Sequence, residues 1–205
     1  MRTDSITILK NVKKTYDLIA EDFSKTRNTE WKEFEQFLPH IKNEQTLADI
    51  GCGNGRFFKF ISKHKRVSYT GVDFSKRLLK EAKRLNKAKF IYGDILKIPL
   101  KPSSQDIIAC IAVLHHIPTI KLRKKAVREL WRILKKKGTL LLTVWDLIKQ
   151  KNCKKGDNFI PWGKEKIPRY YYAFEEKELE KLLLPHYKII KKSHGKNLTY
   201  ICEKL

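Results

Sequence analysis

Apolar residues in the middle of the chain fall into five short runs, and the segments between the runs carry apolar residues at helical spacing. The runs read "TLADI", "VSYTGVD", "AKFIYGD", "DIIACIAV" and "GTLLLTVWD". We predict a strand for each run and helices between them. The fourth run is apolar almost throughout, which is typical of a parallel strand covered on both faces. The pattern therefore predicts an α/β fold with a doubly wound sheet.

The two ends of the chain depart from this alternation. Residues 1–45 are predicted to form an N-terminal helical cover, because apolar side chains recur at helical spacing from Val12 to Phe23. Residues 46–146 form the core, and residues 147–205 hold a predicted loop, "LIKQKNCKKGDNFIPWGKEKIPRYYY", and the helix "EEKELEKLLL". The last two pieces, "YKIIKKSH" and "NLTYICEKL", predict an antiparallel hairpin. We therefore expect a single domain with a mostly parallel, seven-stranded sheet.

A glycine-rich turn, "DIGCGNG", directly follows the first predicted strand. Such a turn lets a ligand approach the backbone and face the positive end of the next helix. The spacing is G-x-G-x-G through Gly51, Gly53 and Gly55, and Arg56 stands where the dinucleotide fingerprint has its last glycine. The phosphate-binding pattern G-x-x-x-x-G-K-[ST] is absent from the sequence. The turn thus indicates a nucleotide-like ligand other than a triphosphate or a nicotinamide dinucleotide.

Acidic residues end the first three predicted strands. Asp49 lies at the end of the first, and Asp73 ends the second about 20 residues further on, where a carboxylate accepts the hydroxyls of a ribose. A third acidic turn, with Asp94 and Ile95, is placed to meet the edge of an adenine ring. Because the carboxyl ends of adjacent parallel strands meet at one edge, these groups predict one nucleoside-sized crevice.

The chain is strongly basic, with 45 Lys and Arg against 22 Asp and Glu and a formal net charge of +23. Residues 120–155 alone carry 13 basic and 2 acidic side chains. A field of this sign and size favours a polyanionic partner, with nucleic acid first. The alternative is a lysine-rich proteome, since Lys outnumbers Arg 35 to 10.

Other classes of protein are disfavoured by the sequence. No apolar stretch approaches the ~20 residues that cross a bilayer, and no secretory leader pattern opens the chain. The four cysteines are spaced neither as a zinc ribbon nor as a disulfide framework. We therefore expect a cytoplasmic protein with reduced thiols and no metal of its own.

The ordered motifs "DIGCGNG", "GVDFS" and "YGDI" resemble those of the class I S-adenosylmethionine-dependent methyltransferases. The resemblance implies S-adenosylmethionine as the cofactor. A sulfonium is positively charged, which gives an acidic rim a purpose in an otherwise basic protein. The cofactor-binding residues implied are Asp49, Gly51, Cys52, Gly53, Gly55, Asp73, Phe74, Ser75, Asp94, Ile95 and Ala112.

Four further stretches, "FSKTR", "AVLHH", "FIPW" and "RYYYAF", are similar to the family that esterifies carboxymethyluridine at the wobble position of tRNA. That resemblance, over about residues 10–202, implies tRNA as the partner through its anticodon loop. It also implies a small zinc-binding activator subunit that adds a strand to the edge of the sheet. The acceptor would be a carboxylate, which is ionised at neutral pH and needs little help from a general base.

The same resemblance suggests side chains for the acceptor. Arg27 and Arg169 are candidate bidentate clamps for a carboxylate or phosphate, with surface ion pairs as the alternative. His115 and His116 follow the fourth strand, and we expect one to face the site while the other packs or caps the next helix. Trp162, Tyr170 and Tyr171 are candidates for stacking on a flipped base, although at least one tyrosine of the triplet should be core. Candidate phosphate contacts, each as readily solvated surface charges, include Lys124, Lys125, Lys154 and Lys155.

Two alternatives stay open at this point. "PLKPSSQDIIACIAVLHHI" is also compatible with a small-molecule O- or C-methyltransferase, such as those acting on quinone precursors. A non-catalytic RNA-binding module with the same fold is the other, and the intact glycine and aspartate set speaks against it.

Overall fold

A seven-stranded sheet forms the centre of the molecule in a computed structural model that describes residues 4–27, 29 and 31–205. The strand order is β3-β2-β1-β4-β5-β9-β8. The first five strands run parallel, β9 is antiparallel to β5, and β8 is antiparallel to β9. The predicted fold class is confirmed. The strands of this sheet are β1 Thr46–Ile50, β2 Ser68–Asp73, β3 Lys89–Tyr92, β4 Gln105–Ile111, β5 Leu134–Trp145, β8 Tyr187–His194 and β9 Asn197–Lys204.

Both faces of the sheet are covered by apolar side chains, as the pattern of β4 predicts. Ile107 and Ala109 pack into the cluster formed with α3, α4 and a 3-10 segment, whereas Ile108 and Cys110 pack on the opposite face beneath α5 and α7. Alternate residues of one strand therefore enter two different cores. The helices are α1 Ser5–Leu18, α2 Ala20–Thr26, α3 Arg56–Ile61, α4 Lys76–Leu85, α5 Ile120–Ile133, α6 Leu147–Lys151 and α7 Glu176–Leu183, and the 3-10 segment is Lys32–His40.

The N-terminal cover is less regular than predicted. The single helix expected through Phe23 is broken at Ile19, between α1 and α2. The last part of the cover is the 3-10 segment, which contains Pro39, and proline removes a backbone donor from a regular α-helical ladder. Helix α1 is tied to the core by Asp17, whose carboxylate accepts hydrogen bonds from Ser75 Oγ at 2.7 Å and from the Arg77 amide at 3.3 Å. The cover therefore sits over the carboxyl end of β2.

The prediction of a loop before the last helix is wrong. Strands β6 (Gly156–Trp162) and β7 (Ile167–Ala173) pair as an antiparallel hairpin outside the main sheet. Its first strand alternates between half-buried and exposed residues and lacks a buried face. Pro161 and Pro168 pair with each other across the hairpin, which a two-stranded ribbon tolerates. Because of its polar residues and prolines, this segment lacks the alternation of apolar and polar residues from which a strand is predicted.

Trp131 on α5 is 37% exposed, with the Lys204 ammonium 4.2 Å from its ring centre. Cys52 and Cys110 are buried free thiols, as expected. No helix in the described part of the chain is long and apolar enough to span a membrane.

Candidate active site

A cavity of about 830 Å³ opens over the carboxyl ends of the parallel strands. Its walls come from the turn after β1, the ends of β2, β3 and β4, the N-terminal cover, and β7. Nine of the predicted cofactor-binding residues line it, namely Asp49, Gly51, Cys52, Gly53, Asp73, Phe74, Asp94, Ile95 and Ala112.

The turn after β1 presents bare backbone to the cavity because side chains are excluded there. Gly51 has φ +79°, and a Cβ atom at this position would lie 2.2 Å from a methyl carbon of Val113. The amides of Gly51 and Cys52 both donate to the Val72 carbonyl, which fixes the turn against β2. Both the backbone conformation and the lack of space therefore require glycine at position 51.

Asp73 braces the same turn from β2. Its two carboxylate oxygens accept the Gly53 amide and the Ser75 amide, each at 2.8 Å. The side chain is buried, and this burial raises its pKa to about 6. Each carboxylate oxygen retains a further lone pair, so Asp73 remains able to accept hydroxyl donors from a ligand in the cavity.

Asp49 is a second buried carboxylate on the cavity wall. It accepts the Tyr69 hydroxyl at 2.6 Å, and burial raises its pKa to about 7, with the neighbouring Asp73 adding to the rise. Two buried carboxyl groups beside one turn favour a ligand that brings positive charge. The cavity thus combines an apolar wall, hydroxyl acceptors and negative charge, and these residues fit a nucleoside that carries a cationic amino-acid arm.

Gly55 and Ser75 do not line the cavity, contrary to the prediction. Gly55 has φ +79° and precedes α3, and a Cβ there would meet the Asn86 side chain at 2.6 Å. Ser75 is fully buried, accepts the Leu78 amide as the N-cap of α4 and donates to Asp17. Both residues shape the chain around the site instead of facing a ligand.

Arg27 and Arg169 come together at the other end of the cavity through a shared aromatic ring. Their guanidinium carbons lie 4.3 and 4.5 Å from the ring centre of Trp162, whose indole nitrogen donates to Asp22. Phe23 flanks Arg27 at 4.8 Å. Burial, and next the charge of Arg169, lower the pKa of Arg27. No carboxylate among the described residues lies within salt-bridge distance of either arginine, although the charge of Asp22 acts favourably on Arg27.

Arg169 is also deeply buried, with 6% of its surface exposed, and its Nε–H has no hydrogen-bond partner among the described residues. The guanidinium lies 5.1 Å from the ring centre of Tyr171. An unmatched buried cation is costly unless a ligand neutralises it. The geometry therefore indicates an anion-binding site.

Both predicted histidines line the cavity, whereas we expected one to face the site and the other to pack or cap the next helix. His116 Nδ1 lies 2.9 Å from the Tyr170 carbonyl and must carry the proton, so its Nε2 accepts the Tyr16 hydroxyl at 2.8 Å. His115 Nδ1 accepts the Trp145 amide at 3.0 Å. Burial holds the pKa of His116 at about 4 and that of His115 well below its usual range. Both rings are neutral at physiological pH.

The predicted base-stacking residues lie on both strands of the hairpin and have different surroundings. Tyr171 faces the cavity and packs against both histidine rings. Tyr170 faces the other way, among Ile8 and Val12, with its hydroxyl bonded to Asp157 at 2.6 Å. Trp162 contacts the two arginines and does not itself line the cavity. The predicted phosphate contacts Lys124, Lys125, Lys154 and Lys155 are exposed and lie outside the cavity.

Several cavity residues were not predicted as site residues. Tyr16 and Phe23 come from the helical cover, where their spacing is equally typical of core packing. Trp31 stacks on Arg56 with 4.0 Å between the ring centre and the guanidinium carbon, and both line the cavity. In the described ranges, no group of three or more His, Cys, Asp or Glu is arranged to hold a metal ion.

The chain is similar in sequence to known methyltransferases. The family model described as "Methyltransferase domain" matches residues 48–142. A tRNA (carboxymethyluridine(34)-5-O)-methyltransferase of Schizosaccharomyces pombe is 31% identical over 201 residues, covering 84% of this chain and 86% of the relative. The tRNA (carboxymethyluridine(34)-5-O)-methyltransferase alkbh8 of Xenopus tropicalis is 38% identical over 136 residues, or 66% of this chain. The chain spans only 21% of the length of that relative.

Solved structures show the same fold at low identity. A complex between the Haloferax volcanii Trm112 methyltransferase activator and a methyltransferase gives a TM-score of 0.73 at 14% identity, covering 92% of this chain and 97% of that one. A SAM-dependent methyltransferase of Methanosarcina mazei gives 0.68 at 21% identity, covering 85% and 98%. The likeness in sequence extends over nearly the whole S. pombe relative, and the chain therefore belongs to the tRNA (carboxymethyluridine(34)-5-O)-methyltransferase family of S-adenosylmethionine-dependent enzymes.

Proposed function

We propose that this chain transfers a methyl group from S-adenosylmethionine to the carboxylate of 5-carboxymethyluridine at the wobble position of tRNA. The observation that carries the proposal is the pairing of unneutralised arginines with neutral histidines in one cavity. Arg27 and Arg169 share the Trp162 ring and have no described carboxylate partner. Such a site suits an acceptor that binds as an anion and loses no proton during methyl transfer.

The cofactor supplies an electrophilic methyl group on a positively charged sulfur. On the donor side, Asp73 is placed to accept ribose hydroxyls, and Asp49 offers a buried carboxylate to the cationic amino-acid arm. Phe74, Ile95 and Ala112 supply apolar surface for the adenine. These residues bind and orient the donor, and none of them moves a proton in the reaction.

On the acceptor side, the arginines hold and neutralise a carboxylate so that one of its oxygens faces the donor methyl group. A guanidinium presents paired N–H donors that match a carboxylate in a bidentate arrangement. Stacking on Trp162 fixes the plane of each guanidinium, which limits the motion that would spoil an in-line approach. His116 acts through Tyr16, whose hydroxyl it orients on the cavity wall.

Recognition of tRNA beyond the acceptor nucleotide is proposed to depend on the positive surface. Lys124 and Lys125 are exposed on α5, and Lys154 and Lys155 precede the hairpin that carries Trp162 and Arg169. The Lys155 ammonium forms an ion pair with Glu175 at 2.7 Å, so Lys155 contributes less to the positive surface than Lys154 does. Phosphate contacts of this kind give binding that weakens steeply with salt.

A small zinc-binding activator is proposed as a partner at the β3 edge of the sheet. The two edges differ: β8 carries Lys188, Lys191 and Lys192, which discourage the addition of a strand. Strand β3 has four residues, with one lysine at its start (Lys89) and the exposed Tyr92 at its end. Leu85, 43% exposed at the end of the helix before β3, adds apolar surface beside that edge. The Haloferax volcanii neighbour, solved with an activator, supports the same expectation.

The direct test is mass spectrometry of nucleosides from carboxymethyluridine-containing tRNA incubated with the chain and methyl-labelled donor. We expect one labelled methyl ester on the wobble nucleoside, with a higher yield when the activator is present. tRNA lacking the carboxymethyl group and the Asp73→Ala variant serve as controls. Labelling of a quinone precursor with no ester on tRNA would contradict the proposal.

A further inference from the structure

One wall of the cavity is formed where β5 ends and β9 begins. Asn197 is the first residue of β9 and pairs with Trp145 at the end of β5, and both residues line the cavity. The Trp145 ring meets the Tyr171 ring edge to face, with 5.5 Å between the ring centres, and the Trp145 amide donates to His115. Asn197 therefore adjoins the aromatic rings in the part of the cavity that is proposed to hold the acceptor.

The side-chain amide of Asn197 has one fixed orientation. The residue is 6% exposed, and its Nδ2 donates a hydrogen bond to the Glu33 carboxylate. Because an ionised carboxylate only accepts hydrogen bonds, it must face the amide nitrogen and not the amide oxygen. Among the described residues, no group donates a hydrogen bond to Asn197 Oδ1. Asn197 therefore offers a ligand in the cavity an acceptor whose direction is set by Glu33.

A fixed acceptor distinguishes nucleobases by the group that faces it. Uracil presents N3–H as a donor between two carbonyl oxygens, whereas N3 of cytosine is itself an acceptor. An amide oxygen that faces N3 is therefore paired by uracil and left without a partner by cytosine. Lys196 is exposed and lines the same wall, so its ammonium offers a donor to one of the uracil carbonyl oxygens.

The arginines alone do not select the base. Arg27 and Arg169 suit a carboxylate, and a carboxymethyl group on cytosine carries the same carboxylate as one on uracil. A group that faces the base edge is needed to separate the two.

We infer that the side-chain oxygen of Asn197 accepts the N3–H of the acceptor uracil, with the base lying against the Trp145 and Tyr171 rings. Glu33 is a positioning residue in this arrangement, because it holds the amide with its oxygen toward the base. The inference rests on the proposed function and deepens it by naming the group that separates uridine from cytidine.

The test measures single-turnover methyl transfer by the full chain to two anticodon stem–loop RNAs. One carries 5-carboxymethyluridine at the wobble position, and the other carries 5-carboxymethylcytidine. We expect the parent to esterify the uridine RNA about ten- to hundredfold faster. Asn197→Ala should slow the uridine reaction by about that factor and leave the cytidine reaction within about twofold of the parent, so that the discrimination is lost.

An isosteric double variant separates recognition from structure. Asn197→Asp combined with Glu33→Gln exchanges donor and acceptor between the two side chains and keeps an acceptor toward the base, so the discrimination should return. Asn11→Ala is the matched control, because Asn11 is exposed on α1 and does not line the cavity. It should leave both rates unchanged, and thermal unfolding of each variant checks the fold.

Two results would overturn the inference. One is a parent that esterifies both RNAs at the same rate, and the other is an Asn197→Ala variant that slows both reactions by the same factor. In either case the ester on the uridine RNA leaves the proposed function standing. If the parent esterifies neither RNA, the proposed function itself is wrong and the assignment of Asn197 falls with it.

Discussion

The half of the cavity proposed to hold the methyl donor and the half proposed to hold the acceptor are built in different ways. The donor half uses backbone and buried carboxylates from consecutive strand ends, with Gly51 and Asp73 joined through one braced turn. The acceptor half uses long side chains from segments far apart in the chain, with Arg27 and Arg169 meeting on Trp162. The first half is fixed by hydrogen bonds to backbone, and the second by stacking of cations on rings.

This difference has an energetic consequence. Loss of a buried hydrogen-bonding carboxylate leaves backbone donors unsatisfied, so changes in the donor half should be large and act on binding. A stacked guanidinium gains roughly 0.5–2 kcal/mol from each ring, so changes in the stacking should be smaller and act on transfer. Variants of each half, together with the pH dependence of donor affinity, separate the two halves on this basis.

Asp73→Ala should lower the affinity for S-adenosylhomocysteine by about a hundredfold or more, because hydroxyl contacts to a charged acceptor are lost together with the brace on the Gly53 amide. Calorimetry measures the loss, and Asp73→Asn should recover part of the brace. An affinity equal to that of the parent would remove Asp73 from the donor site.

Arg169→Met should slow methyl transfer to tRNA about a hundredfold while the affinity for S-adenosylhomocysteine stays near that of the parent. The melting temperature should hold or rise, because the change removes a buried cation whose Nε lacks a partner in the described structure. Single-turnover kinetics and thermal unfolding give the two readouts. A melting temperature that drops with the rate would indicate a structural role.

Trp162→Ala should reduce kcat/KM for tRNA about tenfold, since two guanidiniums lose one stacking surface. Phe159→Ala is the matched control, because Phe159 lies on the same strand, is 59% exposed and does not line the cavity. A larger effect in the control would place the important aromatic contact on the outer face of the hairpin.

Donor affinity should fall several-fold as the pH decreases from about 8 to about 5.5, because Asp49 and Asp73 take up protons with pKa values of about 7 and about 6. Both values lie above 3.8, so each acid binds protons more tightly in the folded chain than in the unfolded one. Their contribution to the free energy of unfolding therefore declines as the pH rises from about 4 to about 7.

Asp49→Asn isolates one of these contributions. The variant should bind S-adenosylhomocysteine more weakly at pH 8 and should show a flatter dependence of affinity and melting temperature on pH. Curves that run parallel to those of the parent over the whole range would mean that Asp49 does not titrate there.

The donor half was largely predictable from the sequence because its residues are local to strand ends. Asp73 and the glycine spacing identified the crevice before any fold was known. Gly55 and Ser75 belong to the same motifs, yet they cap helices, and a motif does not reveal which of its residues turn inward.

The acceptor half was predictable only in part because it depends on the face of an unrecognised strand. In "RYYYAF", alternation places Arg169 and Tyr171 on one face and Tyr170 on the other. The face of β7 that meets the cavity is set by the pairing of β7 with β6. This pairing was not predicted, because the polar residues and prolines of the segment are typical of a loop. Arg56 was noted for its spacing alone, since its ring partner Trp31 lies 25 residues away in the chain.

Asp17 connects the two halves of the cavity through helix α1. Its carboxylate joins helix α1 to the turn that follows Asp73, and the same helix carries Tyr16 to His116 in the acceptor half. A displacement of α1 at one end of the cavity would therefore be felt at the other end. Any coupling carried by this helix would be reciprocal, so the factor by which the donor changed the affinity for tRNA would equal the factor by which tRNA changed the affinity for the donor.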